Sequence, residues 1–563
     1  MTNRVLLVPL FSLLLALPSW AAVPSDAPEK KTADDEYSVN TFYALLVAEM
    51  AGQRQLYDVA LGNYLLESHR TQDAGVTARA TQIAQFIGAD QAALDAATLW
   101  VKLDAENPLA QQALSSELVK AARFSESALH LQKALDLEPM LNVNFISLQG
   151  VDMTEGSREL WLESLTPLVS RYKENQALFF NIASLHQQQN NLEQALTICT
   201  ELLKQHPDFY PAWSLKARLQ ATGQDFKGAI KTINQALKTF KQDKSFSLLK
   251  ARLLIKDKDI KQASKVFAEL HEQHPNDAHI LLPLALTQLE LEDHSAAKLS
   301  LQKLLNLHQM QSEAHYYLGR IEQYQGNDLA ALNHYLAMKG GREYLAAQGA
   351  IINIHMKQGN HSQALNHVRQ QRTIDNENQQ AYFLMEVDIL NRSGEYDASL
   401  KVLNAALKAY QDSTDLRYSR AMVAEKLGNL DQLEKDLNHI ISLEPDNATA
   451  LNALGYTLAD RTSRLDEALV LIEKALQLAP KDPAILDSLG WVYFRMGKLK
   501  QALTLLEQAF ALFPDAEVAA HLGEVLWALE DRAQAKAIWS KALNKTPDSD
   551  ILKDTLLRLE VDL

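Results

Sequence analysis

Three segments decide the fold: LNALGYTLADRTSRLDEALVLIEKALQLAP (residues 451–480), LDSLGWVYFRMGKLKQALTLLEQAFALFP (486–514) and AAHLGEVLWALEDRAQAKAIWSKALNKTP (519–547). Each opens on or near a Leu-Gly pair, continues as an apolar helical stripe, and reaches an Ala. A second Ala follows seven residues later and a Pro five after that, with one extra residue in the first segment. The sets are Gly455/Ala468/Ala475/Pro480, Gly490/Ala502/Ala509/Pro514 and Gly523/Ala535/Ala542/Pro547. Two antiparallel helices approach closely only where the facing residues are small. Gly or Ala in a first helix (Ala217, Ala251, Ala285, Gly319, Gly455, Gly490, Gly523) therefore admits a second helix at its own Ala, and larger side chains fill the grooves between. Pro207, Pro275, Pro445, Pro480, Pro514 and Pro547 sit just past second helices, where proline stops a helix without breaking an internal hydrogen bond.

Working outward, the small residue of the second helix can be followed as Ala60, Ala96, Ser127, Leu160, Ala195, Ala229, Ala263, Ala297, Ala331, Ala364, Ala398, Leu433, Ala468, Ala502 and Ala535. The steps run from 31 to 36 residues and average about 34. The pattern resembles the tetratricopeptide repeat (TPR), a helix-turn-helix of about 34 residues. That resemblance implies an all-α, right-handed superhelical α-solenoid of about 14–15 repeats, in which stacking supplies the core that no single repeat can build. The expected organisation is TPR-like repeats over 36–139, an irregular helical junction over 140–174, a regular array over 175–547 and a capping helix over 548–563. Leu552, Leu556 and Leu559 form the apolar side of that last helix.

Composition agrees with a helical, folded chain. Of 563 residues 47% are hydrophobic and 22% charged, with only 20 Gly and 16 Pro. A net charge of −15 disfavours general nucleic-acid binding. A single cysteine, Cys199, excludes an internal disulfide and a Cys-rich zinc site. At the N-terminus Arg4 precedes the apolar run Val5–Leu17, and Ser19-Trp20-Ala21 offers a cleavage site. This reads as a secretory signal over 1–21, cut after Ala21, followed by a disordered leader over 22–35. The reading makes the mature chain an exported one. Outer-membrane association stays open, although no lipid-anchoring Cys follows the signal.

No phosphate-binding Gly-rich loop, G-x-S-x-G elbow or H-E-x-x-H is present. His271 and His274 share a spacing of three, without a third ligand to complete a metal site. Cys199 reads as a small buried apolar residue. The expectation is therefore no catalytic residues, no cofactor and no metal, but a binding surface. In the resembled repeat the first helices line the concave groove. The inward positions counted from the small anchors include Phe180, Arg218, Arg252, Tyr316, Arg320, Phe383, Tyr418, Tyr456, Trp491 and Trp527. Aromatic and Arg side chains are those that dominate binding energy at interfaces.

The N-terminal block TFYALLVAEMAGQRQLYDVALGNYLLESHRTQDAGVTARATQIAQFIGADQAALDAATLWVKLDAENP (residues 41–108) and the C-terminal block over 451–529 are more particular than a generic repeat. Together they resemble a family of exported proteobacterial TPR proteins. One member is an outer-membrane lipoprotein that binds a carboxy-terminal processing protease and brings it cell-wall hydrolases. The resemblance implies a non-enzymatic periplasmic scaffold whose partners are such a protease and its substrates. The alternative role is an assembly factor for envelope polysaccharide export or outer-membrane protein biogenesis. Pairing of two copies through the N-terminal repeats is left open. Where that lipoprotein carries its lipid-bearing Cys, this chain has Ala21-Ala22.

Overall fold

The computed structural model describes residues 37–563. The signal read over 1–21 and the leader over 22–35 lie outside the described residues. Among the described residues there are 31 α-helices and no strand, and no helix is long and apolar enough to cross a membrane. The chain forms two compact units, one ending at Gln273 and the other spanning His274–Leu563.

In the first unit α1 (Val39–Gln53) pairs with α2 (Tyr57–Thr71), α3 (Ala74–Ile87) with α4 (Asp90–Leu103), and α5 (Pro108–Lys120) with α6 (Phe124–Leu137). Then α7 (Phe145–Gly150) is followed by α8 (Glu155–Arg171), α9 (Gln176–Gln188) pairs with α10 (Leu192–Gln205), α11 (Tyr210–Thr222) with α12 (Phe226–Thr239), and α13 (Lys244–Lys256) with α14 (Ile260–Gln273). The second unit pairs α15 (Ala278–Glu290) with α16 (His294–Asn306), α17 (Gln311–Tyr324) with α18 (Asp328–Leu336), α19 (Tyr344–Lys357) with α20 (His361–Ile374), and α21 (Gln379–Arg392) with α22 (Tyr396–Ala409). It continues with α23 (Thr414–Lys426) and α24 (Leu430–Leu443), α25 (Ala448–Arg461) and α26 (Leu465–Leu478), α27 (Pro483–Arg495) and α28 (Leu499–Leu512), and α29 (Ala516–Ala528) and α30 (Arg532–Lys545). The terminal α31 (Asp550–Arg558) packs on α29. The array of helical hairpins read from the sequence is thus what folds.

The hairpin turns follow one rule. Thirteen residues have positive φ one position before the N-cap of a second helix: Gln55, Gly88, Ala122, Asn190, Gln224, Lys258, Glu292, Gly326, Gly359, Gly394, Gly428, Gly497 and Glu530. The next amide then reaches back into the first helix, as Asp225 N–H does to the Gln220 carbonyl (2.9 Å) and Lys498 N–H to that of Tyr493 (2.8 Å). This is the helix-ending bond of a left-handed cap. Where that next residue is Asp or Asn, its side chain often caps the second helix: Asp225 accepts from Gly228 N–H (2.9 Å) and Asn429 from Gln432 N–H (3.1 Å). One residue therefore closes one helix and opens the next.

The fifth residue after each left-handed position is buried to 1% exposure or less, from Ala60 to Ala535. This rule corrects the register at two places, and burial corrects it at a third. In α4 the small contact residue is Ala93, and Ala96 lies a turn later; in α22 it is the fully buried Ser399, not Ala398. Leu160 is 55% exposed, whereas its neighbour Trp161 is fully buried against Phe124, Leu131 and Leu165. The six-residue α7 is too short to bring a close-packed partner onto α8, so an indole fills that space. In the α25–α26 hairpin Thr462 is extended rather than left-handed, and the extra residue of segment 451–480 sits in that turn.

Close packing explains the glycines of the first helices. A Cβ on Gly455 would stand 2.5 Å from Cγ1 of Ile472, and one on Gly490 would stand 2.6 Å from Cγ of Leu506. In the second unit first helices touch successive first helices, as α19 does α21, α21 does α23, and α25 does α27. Its second helices do not pack on one another as closely, so the first helices form the inner face of this unit.

Candidate functional site

A cavity of about 550 Å³ opens on that inner face. Leu384, Val387, Asp388 and Asn391 come from α21, and Thr414, Asp415, Tyr418 and Ser419 from α23. Ile440, Asn447 and Thr449 complete it from α24 and the start of α25. Leu384, Val387 and Ile440 supply an apolar lining beside hydroxyl, amide and carboxylate groups. Asn391 Oδ1 is buried and has no hydrogen-bond partner. An orphaned buried acceptor is costly unless a ligand or water donates to it. Tyr418 is half-buried; burial, with Glu425 nearby, holds its phenol above the ordinary range, so it stays a neutral donor.

The wall that carries Tyr418 is fixed from behind. Asp436 of α24 is fully buried and takes a bidentate pair from Arg420 of α23, with Nε at 2.7 Å and Nη2 at 2.6 Å. Arg417 Nη1 (3.4 Å) and Gln432 Nε2 (2.9 Å) also donate to it. Arg420 Nη1 reaches Asn404 Oδ1 of α22 at 2.7 Å, so three helices are tied together. One repeat earlier Glu386 is held in the same way by Arg369 (2.7 Å) and Arg372.

A second polar cluster joins three first helices at the far end of this unit. His521 of α29 stacks on Trp491 of α27 (centroids 4.2 Å apart, 24° between planes), and its Nδ1 lies 2.9 Å from Asp487 Oδ2. Trp491 Nε1 donates to Asp460 of α25 (3.2 Å), and the Tyr456 hydroxyl of α25 donates to Glu517 of α29 (3.0 Å). Glu524 of α29 is covered by Arg558 of α31 (2.8 Å). Burial alone pulls His521 down, but the charge and hydrogen bond of Asp487, with Glu517 and Glu524 behind it, outweigh that and hold the imidazolium above its ordinary value. A pKa raised by folding stabilises fully below the unfolded value of about 6.5, and that contribution fades as pH climbs through the folded value. As pH rises above about 6.5, the melting temperature of the native chain is therefore expected to fall more steeply than that of His521→Gln. Parallel melting curves of the two proteins over that range would refute the assignment.

The ten residues singled out from the sequence do not converge on one site. Tyr418 lines the cavity. Tyr456 and Trp491 belong to the histidine cluster, where Trp491 is only 6% exposed, its ring also against Phe494. Trp527 is half-buried beside Trp539 (5.9 Å) with Arg532 over its ring (5.0 Å). Phe383 lies under the Arg372 guanidinium (4.1 Å), and Tyr316 packs on Tyr317 and Tyr335. Phe180 contacts Phe209 in the first unit (5.8 Å), and Arg218, Arg252 and Arg320 are exposed. Asn391, Asp388, Asp415, Ser419 and Thr449 were missed because aromatic and Arg residues alone were sought. The signal available was the set of polar residues Asp388 and Asn391 on α21 and Thr414, Asp415 and Ser419 on α23, spaced at helical intervals. Burial pushes the Cys199 thiol up to about 12, which makes it a poor nucleophile. Among the described residues no three His, Cys, Asp or Glu side chains are grouped to hold a metal.

Sequence models of the tetratricopeptide repeat match residues 186–253, 384–432, 446–515 and 493–557. The chain is 37% identical over 540 residues to the TPR repeat-containing protein PA4667 of Pseudomonas aeruginosa, covering 95% of this chain and 91% of that one. It is also 30% identical over 176 residues to the human protein O-mannosyl-transferase TMTC1, which is 30% of this chain and 20% of that protein. Among solved structures, the Cut9–Hcn1 hetero-tetramer of the APC/C is similar with a TM-score of 0.34 at 17% identity, over 92% of this chain and 96% of that one. A tetratricopeptide repeat protein from Parabacteroides merdae is similar with a TM-score of 0.37 at 18% identity, over 44% of this chain and 97% of that one.

Proposed function

Since the chain belongs to the tetratricopeptide-repeat family, we propose that it is a non-enzymatic protein-binding scaffold of the periplasm, one that brings a carboxy-terminal processing protease together with cell-wall hydrolase substrates. The cavity between α21 and α23 carries this reading. It offers apolar surface, a tyrosine donor and the orphaned Asn391 acceptor on the inner face of stacked first helices. Such a set suits a polypeptide, whose amide N–H can satisfy Asn391 while its side chains cover Leu384 and Val387. Holding two proteins on one array raises their effective concentration for each other without any chemistry by the scaffold.

The test uses the full chain as bait in an envelope extract, with captured proteins identified by mass spectrometry. A carboxy-terminal processing protease is expected among them, and loss of the gene is expected to raise cell-wall hydrolase levels. Tyr418→Ala with Asn391→Ala should weaken capture by about tenfold, as removal of interface anchors does, with an unchanged helical signal. Deletion that alters exopolysaccharide or outer-membrane protein content while hydrolase levels stay constant would replace this role with that of an assembly factor.

A further inference from the structure

The first unit reverses its charge along its length. Residues 37–209 hold 11 Lys and Arg against 20 Asp and Glu, a net −9, whereas the two hairpins α11–α14 (residues 210–273) hold 13 against six, a net +7. The few acids of α11–α14 are mostly engaged. Asp225 and Asp259 cap α12 and α14 through Gly228 N–H (2.9 Å) and Gln262 N–H (3.0 Å). Asp243 caps α13 through Phe246 N–H (2.8 Å) and accepts from the Tyr210 hydroxyl (3.1 Å). Glu269 faces Lys265 at 4.0 Å. Many of the cations are left over: Arg218, Lys231, Lys238, Arg252, Lys256 and Lys261, among others, are exposed and make no ion pair among the described residues.

The excess is also ordered. Lys216-Ala217-Arg218 on α11 recurs as Lys250-Ala251-Arg252 on α13, with both alanines fully buried. The buried alanines fix the rotation of each helix, so equivalent helix positions one repeat apart present Arg218 and Arg252 to solvent. A guanidinium fork binds a carboxylate through two parallel hydrogen bonds, which makes it selective for carboxylate geometry and not merely for charge.

We propose that α11–α14 form a docking surface for an acidic, extended segment of a partner protein. The inference rests on the scaffold reading above and gives it the chemistry of one partner. A short acidic segment fits a basic surface two hairpins long. A long polyanion such as nucleic acid is disfavoured, because its continuation along the unit would meet residues of net −9. Association through such a surface is fast and salt-sensitive.

The experiment is fluorescence anisotropy with the full chain and a fluorescein-labelled peptide of alternating Glu and Ser. A Lys-Ser peptide and a single-stranded oligonucleotide serve as the comparison probes. The Glu-Ser peptide is expected to bind, to weaken as NaCl rises from roughly 50 to 300 mM, and to lose at least about tenfold in affinity with Arg218→Glu plus Arg252→Glu. Both side chains are exposed, so the helical signal should persist; Arg218→Gln plus Arg252→Gln repeats the test with milder changes. Equal binding of the Glu-Ser and Lys-Ser peptides, equal binding by the variants, or tighter binding of the oligonucleotide would each overturn the proposal. If the native chain captures a protease from extract but ignores the acidic peptide, this inference alone falls. If it captures no protein partner while still binding the peptide, the scaffold role falls instead.

Discussion

Ala502→Glu is expected to unfold the C-terminal repeats while leaving the first unit folded. Ala502 has no exposed surface and sits in a core with Leu506, Leu522 and Ala519. Its backbone carbonyl would lie 3.4 Å from a Cβ on Gly490, so α27 and α28 are already in contact there. A glutamate must either bury an unpaired carboxylate or push the two helices apart. Both belong to the few mechanisms that destabilise a protein by about 4–5 kcal/mol or more. Because a repeat is stabilised by its neighbours, the loss should be regional. Hydrogen exchange is expected to accelerate over α27–α30 and to stay native over α1–α12. Lys500→Glu, on the exposed side of the same helix, should change stability by no more than about 0.5 kcal/mol. Uniform exchange along the whole chain, or a native melting temperature for Ala502→Glu, would contradict this account of the packing.

Asp436→Ala is expected to be nearly as damaging, by about 3–5 kcal/mol, for an electrostatic reason. Removing a fully buried carboxylate leaves Arg417 and Arg420, 14% and 13% exposed, with positive charge and no counter-ion. The diagnostic control is replacement of both partners. Asp436→Leu with Arg420→Met removes the closest charge pair, while Arg417 keeps its hydrogen bonds to the Gln411 carbonyl (2.6 and 3.1 Å), so much of the loss should be recovered, since apolar groups of similar volume often replace a buried pair at little cost. Urea unfolding of the three proteins separates the outcomes; a double variant no better than Asp436→Ala would show that shape rather than charge holds α23 and α24 together. The same network positions Tyr418 and Ser419. Partner capture by Asp436→Ala should therefore fall even at temperatures where the chain remains helical.

Most of the architecture could be read from small residues. Gly455, Gly490 and Gly523 mark places where side chains of the second helix would collide with any Cβ, and such constraints repeat at a fixed interval. The reading slipped where another residue did the same task. Ser399 is as compact as alanine yet polar, so Ala398 attracted the count. Trp161 fills a wide gap that a search for small residues passes over. The left-handed turn would have kept the register, but seven of its thirteen positions are not glycine and carry no local sign of it. The binding surface was less legible. Trp491 meets the spacing for an inward anchor but stacks on His521, a partner 30 residues further along the chain. Whether an aromatic side chain packs or binds depends on its neighbours in adjacent repeats, which spacing within one repeat does not reveal. Asn391 reveals itself only through the absence of a partner, and that needs coordinates.

The turn that closes each hairpin has a consequence for change over time. The left-handed residue and the buried contact are five positions apart in all thirteen cases, while between directly successive hairpins of this kind the interval from that contact to the next left-handed residue takes values of 28, 29 or 30. Insertions and deletions are thus tolerated on one side of each repeat and rejected on the other. A tag or a foreign epitope grafted between hairpins should leave the neighbouring bends intact, whereas one extra residue inside a turn would rotate the whole following helix out of its groove.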